Sequence, residues 1–191
     1  FPSLVSLQVL IYRRLFKLLF KVVLVGKDVV PKKQLIVGLE VANYARSTIS
    51  TGIQRIISGF HDDVSTFWEA RGISLLPLVC QKPSDYDFRH LLKSSKLGQP
   101  FLSKTLCEPG ECDAILLLDI DNGIDFLRLR RLADSGIPVV ALIHDVLPLL
   151  YPNWFIEGGR RAFQLFLQQT LFAASQLITT TEKVRRDILN L

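Results

Sequence analysis

The sequence predicts an α/β fold in which a parallel β-sheet carries helices on both faces. Short apolar runs of strand length alternate with helical patterns along most of the chain. These runs are apolar throughout, which is typical of parallel strands that are buried on both faces. Polar and charged residues directly follow several of the runs, and this is where such a sheet builds ligand sites.

Apolar runs between helical patterns indicate the strands, because their length and composition suit strands better than helices. The predicted strands are QLIVGLEVA (34–42), ISLLPLVC (73–80), DAILLLDI (113–120), IPVVALIH (137–144) and QLITT (176–180).

Helical spacing of apolar residues begins near Gly52, where Ser50 or Thr51 could cap the helix, and continues to Phe67. Further predicted helices are FLRLRRLADSG (126–136), which Gly136 closes, the segment 157–175, and a last helix that begins at TEKVRRDILNL (181–191). The polar stretch 81–110 shows one helical pattern, YDFRHLLKS.

Composition sets bounds on the class of protein. With 191 residues, 49% of them hydrophobic and 21% charged, the chain suits one well-packed domain and is not broadly disordered. The net charge is +5, but the basic residues are not interleaved with aromatic ones, so we predict no nucleic-acid partner. The chain starts at Phe1 and has no Met, which predicts a processed product or a fragment.

The three cysteines predict reduced thiols rather than a metal site. Cys80 ends an apolar run and is expected to be buried. Cys107 and Cys112 form no CxxC pair and have no nearby His that would complete a zinc set. We therefore predict that the cysteines hold no metal ion.

Residues 1–33 predict a basic amphipathic helix followed by a linker, and residues 34–191 a separate α/β domain. At 100° per residue, Arg13, Arg14, Lys17 and Lys21 fall within an arc of roughly 100°, opposite a Leu- and Val-rich face. These charges interrupt the apolar run, so the segment fits neither a spanning helix nor a signal peptide. It suits an anionic membrane interface at the cytoplasmic side, and the alternative is a helix packed on its own domain.

The pair His144-Asp145 is the sharpest candidate for a catalytic site. The two residues end a predicted strand, where an imidazole can exchange a proton or bind a substrate hydroxyl and a carboxylate can orient a loop or the substrate. The structural alternative is a histidine satisfied by the backbone and an aspartate that caps a turn before Pro148.

Three other strand-end or helix-start segments are candidates for substrate binding. STGIQR (50–55) places Gly52 where backbone N–H groups can approach an anion, although an ordinary helix cap also explains it. DIDNGID (119–125) carries three carboxylates but lacks the glutamate of a calcium loop, which favours turn chemistry. TTTEK (179–183) has the pattern of a helix cap. The predicted substrate contacts are Thr51, Gly52, Arg55, Asp119, Asn122, Thr181 and Glu182.

Taken in order, these segments resemble the N-terminal half of a family 4 glycosyltransferase with the GT-B architecture. That family shows a TGI-x-R loop, then HD-x-x-P-x-x-x-P-x-W-F after a middle strand, then a helix that starts with Ser/Thr-Glu and continues to Arg-x-Asp. The matching residues, within 34–191, are Thr51, Gly52, Ile53 and Arg55; His144, Asp145, Pro148, Pro152, Trp154 and Phe155; and Thr181, Glu182, Arg186 and Asp187.

The resemblance implies a Rossmann-like domain and a retaining, metal-independent transfer of a sugar from a nucleotide-sugar to a glycan or lipid-linked acceptor, as in polysaccharide biosynthesis. In that family Gly52 would approach the donor and His144 the transferred sugar. The nucleotide binds mainly to a second domain that carries a basic pair and two glutamates seven residues apart, and we find no such pattern in these 191 residues. A C-terminal domain or a second chain would have to supply it.

Two alternatives remain open at this point. The first is a non-catalytic, truncated GT-B-like module kept for protein or membrane association. The second is an unrelated doubly wound domain such as a flavodoxin-like receiver, which would need an acidic pocket and a lysine after its C-terminal strand. Neither feature is evident in the sequence.

Overall fold

The computed structural model describes residues 34–46, 57, 68–82 and 106–191. The predicted amphipathic helix and its linker, residues 1–33, lie outside the described residues. The described strands are β1 (Leu35–Glu40), β2 (Ile73–Leu78), β3 (Ala114–Leu117), β4 (Val139–Ile143) and β5 (Gln176–Thr179). The described α-helices include α1 (Ala42–Arg46), α2 (Phe126–Asp134), α3 (Leu147–Leu150), α4 (Glu157–Ala173) and α5 (Glu182–Leu189).

The strands form one parallel sheet in the order β2-β1-β3-β4-β5. This confirms the predicted α/β, Rossmann-like architecture, and each predicted strand contains an observed one. The chain runs from β1 outward to β2 and then crosses back to β3 on the other side of β1. The connection therefore reverses between β1 and β3, and the ends of those two strands flank the crevice where open sheets bind ligands.

Apolar side chains on the two faces of the sheet build two cores. One face packs on Tyr44, Ile57 and Trp68, all of which lie in helical segments and are at most 1% exposed. The other face packs on α2, α4 and α5. Because alternate residues of a strand point to opposite faces, Val37 and Leu39 enter the first core while Ile36 and Gly38 face the second side. Helices therefore cover both faces, as predicted.

Edge position and helix caps explain two local features. Pro77 lies within β2, which it can do because β2 is at the edge of the described sheet and proline has no N–H to donate to a neighbouring strand. The predicted stop of α2 is confirmed, since Gly136 adopts a positive φ of 95° that an L side chain rarely adopts.

Among the described residues no helix is long and apolar enough to cross a membrane.

Candidate functional site

The polar residues that follow β1, β3 and β4 form the candidate site at the carboxyl edge of the sheet. β1 ends in Glu40, β3 leads into Asp119 and Asp121, and β4 leads into His144. All of these strands are parallel, so these ends lie at the same edge. We call this region the carboxyl-edge site.

The backbone and side chain of His144 are both fixed. Its Nε2 lies 2.8 Å from the carbonyl oxygen of Leu118, in the segment that follows β3. Its own carbonyl oxygen accepts a hydrogen bond of 2.7 Å from the hydroxyl of Thr180, in the segment that follows β5. A carbonyl oxygen only accepts, so Nε2 carries the hydrogen, and in the neutral imidazole Nδ1 is then the acceptor. The ring thus keeps one nitrogen for a ligand.

Asp119 is a buried carboxylate beside this histidine. Its Oδ2 accepts a hydrogen bond of 3.0 Å from the amide of Asn43, and its Oδ1 accepts one of 2.7 Å from the backbone N–H of Ile120. Burial raises the pKa of Asp119 above its usual value, while these two hydrogen bonds and the proximity of His144 oppose that rise. The electrostatic coupling joins Asp119 and His144, both of which the sequence predicts as site residues.

Glu40 and Asp121 form an acidic pair, which Gln81 bridges. The amide Nε2 of Gln81 lies 2.9 Å from Asp121 Oδ2 and 3.3 Å from Glu40 Oε1. Glu40 is 2% exposed, and burial together with the negative charge of Asp121 raises its pKa to about 8. Glu40 therefore stays protonated at neutral pH and can hold a proton that an ordinary glutamate would have lost.

Close packing of two loops places Gln81 in this position. The segment after β2 pairs antiparallel with the segment after β3, through a bridge between Gln81 and Ile124 and a hydrogen bond of 3.0 Å from Lys82 N to Gly123 O. A Cβ at Gly123 would collide with the side-chain oxygen of Gln81. The side-chain oxygen of Gln81 thus occupies the space that a Cβ at position 123 would take, and the sequence reveals Gly123 only as part of a turn.

Several predicted site residues have structural partners. Asp145 Oδ1 accepts a hydrogen bond of 3.0 Å from Leu147 N at the start of α3. Thr181 caps α5 by accepting from Val184 N at 3.1 Å. Glu182 is exposed and pairs with Arg185 at 2.9 Å. The contacts of Asp145 and Thr181 are the caps that the structural alternative predicts. A substrate contact of Asp145, Thr181 or Glu182 stays a prediction.

Asn122 points away from the carboxyl-edge cluster. Its amide nitrogen donates to the carbonyl oxygen of Ala162 in α4 at 3.0 Å, which ties the loop after β3 to that helix. Its side-chain oxygen is buried and has no hydrogen-bond partner in the described part of the chain. The other predicted contacts, Thr51, Gly52 and Arg55, lie outside the described residues.

The sequence interpretation missed the acidic character of the site. Glu40, Asp119 and Asp121 gather at one edge of the sheet, although no acidic pocket is evident in the sequence. The available signal was Glu40 itself, the one charged residue within the apolar run LIVGLEVA. Asn43 and Gln81 carried no such signal, because only the fold brings them to the carboxylates. The turn interpretation of 119–125 is confirmed, because Asp121 accepts from Gly123 N at 2.8 Å and Asp125 caps α2.

Two further observations, on metal ligands and on a groove, bear on ligand binding by the described residues. Among the described residues, no three His, Cys, Asp or Glu side chains are placed to hold a metal ion. A groove of about 610 Å³ lies elsewhere, between α4, α5 and the turn after α3, and no residue of the carboxyl-edge site lines it.

Comparisons with protein-family models, with curated proteins and with solved structures find no match to this chain.

Proposed function

We propose that this chain is the acceptor-side domain of a retaining glycosyltransferase of the GT-B architecture, related to family 4. The observation that carries the proposal is the position of His144, which is held rigidly at the carboxyl edge beside Asp119 with Nδ1 left to bind a ligand. The ordered set of motifs around it, from Thr51 to Asp187, adds the resemblance to that family.

The polarity of His144 suits recognition of a sugar hydroxyl. With Nε2 donating to Leu118, Nδ1 can accept a hydrogen bond from a hydroxyl group. The contact of Nε2 with Leu118 holds the ring and the hydroxyl of Thr180 holds the backbone of His144, so little conformational entropy is lost when a ligand binds. His144 would thereby orient the transferred sugar.

Asp119 and Asn43 offer a second polar surface next to the imidazole. The amide nitrogen of Asn43 donates to Asp119 at 3.0 Å and to the carbonyl oxygen of Ile120 at 3.3 Å, which fixes the direction of its side-chain oxygen. A glycan hydroxyl is a donor that suits this amide oxygen. We assign Asp119 and Asn43 to acceptor or sugar contact.

The reaction needs a second half-site. In a retaining transfer the bond between the anomeric carbon and the phosphate oxygen breaks, the acceptor oxygen forms a bond to the same face of that carbon, and the acceptor hydroxyl gives up its proton. The nucleotide would bind to a donor domain outside these 191 residues. Gly52 and Arg55, which lie outside the described residues, would face the donor phosphates from this side.

The same proposal implies a sugar acceptor and a location of the protein in the cell. The acceptor would be a glycan or a lipid-linked glycan of polysaccharide biosynthesis, and the transfer would take place at the cytoplasmic surface of a membrane. The basic amphipathic segment 1–33 would hold the domain on anionic lipid as a peripheral protein.

Binding by the chain itself tests the proposal. We expect saturation-transfer NMR to detect weak binding of oligosaccharides from a glycan panel. His144→Ala should weaken this binding by about tenfold or more, because one directed hydrogen bond in a desolvated site is lost. Asp134→Asn is the matched control, since Asp134 is exposed and lies at the opposite end of α2 from the edge. Equal binding by the wild type and His144→Ala would contradict the role of the carboxyl-edge site.

An exposed aromatic segment favours a second candidate, a non-catalytic module for protein or membrane association. Tyr151 stacks on Trp154 with ring centroids 4.6 Å apart, yet Trp154 is 73% exposed and Ile156 83% exposed. Such residues are typical of contact surfaces. Loss of partner or vesicle binding in Trp154→Ala, together with no glycan binding by the wild type, would favour this candidate.

A further inference from the structure

Two buried thiols lie in contact near the amino end of β3. Cys107 Sγ and Cys112 Sγ are 3.4 Å apart, and the side chains are 7% and 4% exposed. Both cysteines are free. A disulfide has an S–S distance of about 2.05 Å, so an approach of about 1.4 Å would join them.

The backbone holds both thiols in this arrangement. Cys107 N donates to Pro77 O at 3.0 Å, and Cys107 forms a bridge with Leu78 at the end of β2. The 3-10 turn Pro109–Glu111 folds the chain back, and Asp113 N then donates to Ile36 O at 2.7 Å. Each end of the short loop is therefore fixed to the sheet.

Gly38 makes room for the pair. A Cβ at Gly38 would lie 2.7 Å from Cys112 Sγ, closer than the two atoms can approach. The absence of a side chain in the middle of β1 therefore lets the Cys112 thiol lie against the strand, where it faces Cys107.

The two thiols differ in acidity. The contact between the two sulfurs lowers the pKa of Cys107 and raises that of Cys112. Burial raises the pKa of Cys80 to about 12. Since the thiolate is the reactive form, we assign Cys107 as the nucleophile, because its pKa is lowered and its side chain is the more exposed of the pair, whereas Cys80 is fully buried.

We propose that Cys107 and Cys112 are a redox modification site that hydroperoxides convert reversibly to an intrachain disulfide. The thiolate sulfur of Cys107 attacks the terminal peroxide oxygen, the O–O bond breaks, and the alkoxide or hydroxide leaves and takes up a proton. Cys107 is now a sulfenic acid. The sulfur of Cys112 attacks it, the S–O bond breaks, and the Cys112 proton leaves with the hydroxide as water. The peroxide is reduced by two electrons as the two thiols are oxidised.

Mass analysis of the full chain tests this site. After exposure to hydrogen peroxide and alkylation in denaturant, we expect loss of two hydrogen atoms, with Cys80 as the remaining alkylated thiol. Cleavage after Glu108 or Glu111 should yield two peptides that stay linked until dithiothreitol is added. Either of two results with the wild type would by itself overturn the proposal. One is a product that consists mainly of intermolecular disulfides, and the other is oxidation of Cys80 as fast as that of Cys107.

Single variants assign the roles. Cys112→Ser should stop at a sulfenic acid on Cys107 that dimedone traps, and Cys107→Ser should react at least about tenfold more slowly. Cys80→Ser is the control and should form the disulfide at the wild-type rate. Equal rates for Cys107→Ser and wild type would contradict Cys107 as the nucleophile.

Discussion

The imidazole of His144 donates from Nε2 to the carbonyl oxygen of Leu118 across 2.8 Å, so the residue that follows β4 is held by the segment that follows β3. This contact fixes the tautomer as well as the position of the ring. It leaves Nδ1 as the acceptor and makes His144 the best-positioned group of the carboxyl-edge site.

Replacing His144 should reduce turnover in the enzyme completed with its donor domain. We expect His144→Ala to lower kcat on the order of 10²-fold, because one positioned hydrogen-bonding or proton-transfer partner is lost. The fold should survive, since the side chain is only partly buried. Steady-state kinetics and circular dichroism check this together. Unchanged turnover, or activity lost in proportion to unfolding, would indicate a structural histidine.

The buried carboxyl of Glu40 should make the protein less stable as the pH rises. Its pKa is raised from 4.5 to about 8 in the folded state. Below the lower value the group is protonated in both states. Between the two values the unfolded chain releases a proton that the folded chain keeps, so the free energy of unfolding falls by up to about 1.4 kcal/mol per pH unit. Above the upper value both states are ionised and the fall ends.

Glu40→Gln tests this dependence with an uncharged side chain of the same size. In urea unfolding, the free energy of unfolding of the variant should not show this fall with pH. It should equal that of the wild type near pH 4.5 and exceed it near pH 8. Glu182→Gln serves as the control because Glu182 is exposed. Parallel stability profiles for Glu40→Gln and the wild type would show that Glu40 titrates normally.

The role of Asp145 separates into a cap and a charge. Its Oδ1 accepts from Leu147 N, so Asp145→Ala should lower stability by about 1 kcal/mol, whereas Asp145→Asn keeps an acceptor oxygen and should be nearly as stable as the wild type. Turnover of Asp145→Asn in the completed enzyme then decides the matter. A large loss of turnover without loss of stability supports a catalytic carboxylate, and wild-type turnover limits Asp145 to capping.

Strand positions were predictable because buried parallel strands leave continuous apolar runs, as in VVALI of β4. The carboxyl edge was predictable for the same reason, and His144 and Asp119 both follow such runs. The bridging role of Gln81 was not, because it depends on the order of the strands and on the approach of Gly123, which sequence spacing does not encode. The contact of Cys107 with Cys112 was likewise hidden, since it requires Gly38 on a neighbouring strand.

Sugar transfer should need more than these 191 residues. The carboxyl-edge site offers hydroxyl-binding groups, and the donor-binding pattern that the resemblance implies is not found in the sequence. We therefore expect no measurable turnover by this polypeptide when a panel of nucleotide-sugars is offered. The assay measures the release of free nucleoside diphosphate. Robust multiple turnover by the chain alone would contradict the half-site proposal.

The basic segment 1–25, which lies outside the described residues, should bind anionic membranes through both charge and apolar surface. Each cation near an anionic bilayer contributes about 1 kcal/mol, and salt screens this attraction. Changing Arg13, Arg14, Lys17 and Lys21 to Gln should therefore weaken co-sedimentation with anionic vesicles far more than with neutral ones, and raised salt should have the same effect on the wild type. A helix packed on its own domain predicts little vesicle binding by either version and a lower melting temperature when residues 1–25 are deleted. Equal binding of the wild type to neutral and anionic vesicles would contradict the electrostatic part of the prediction.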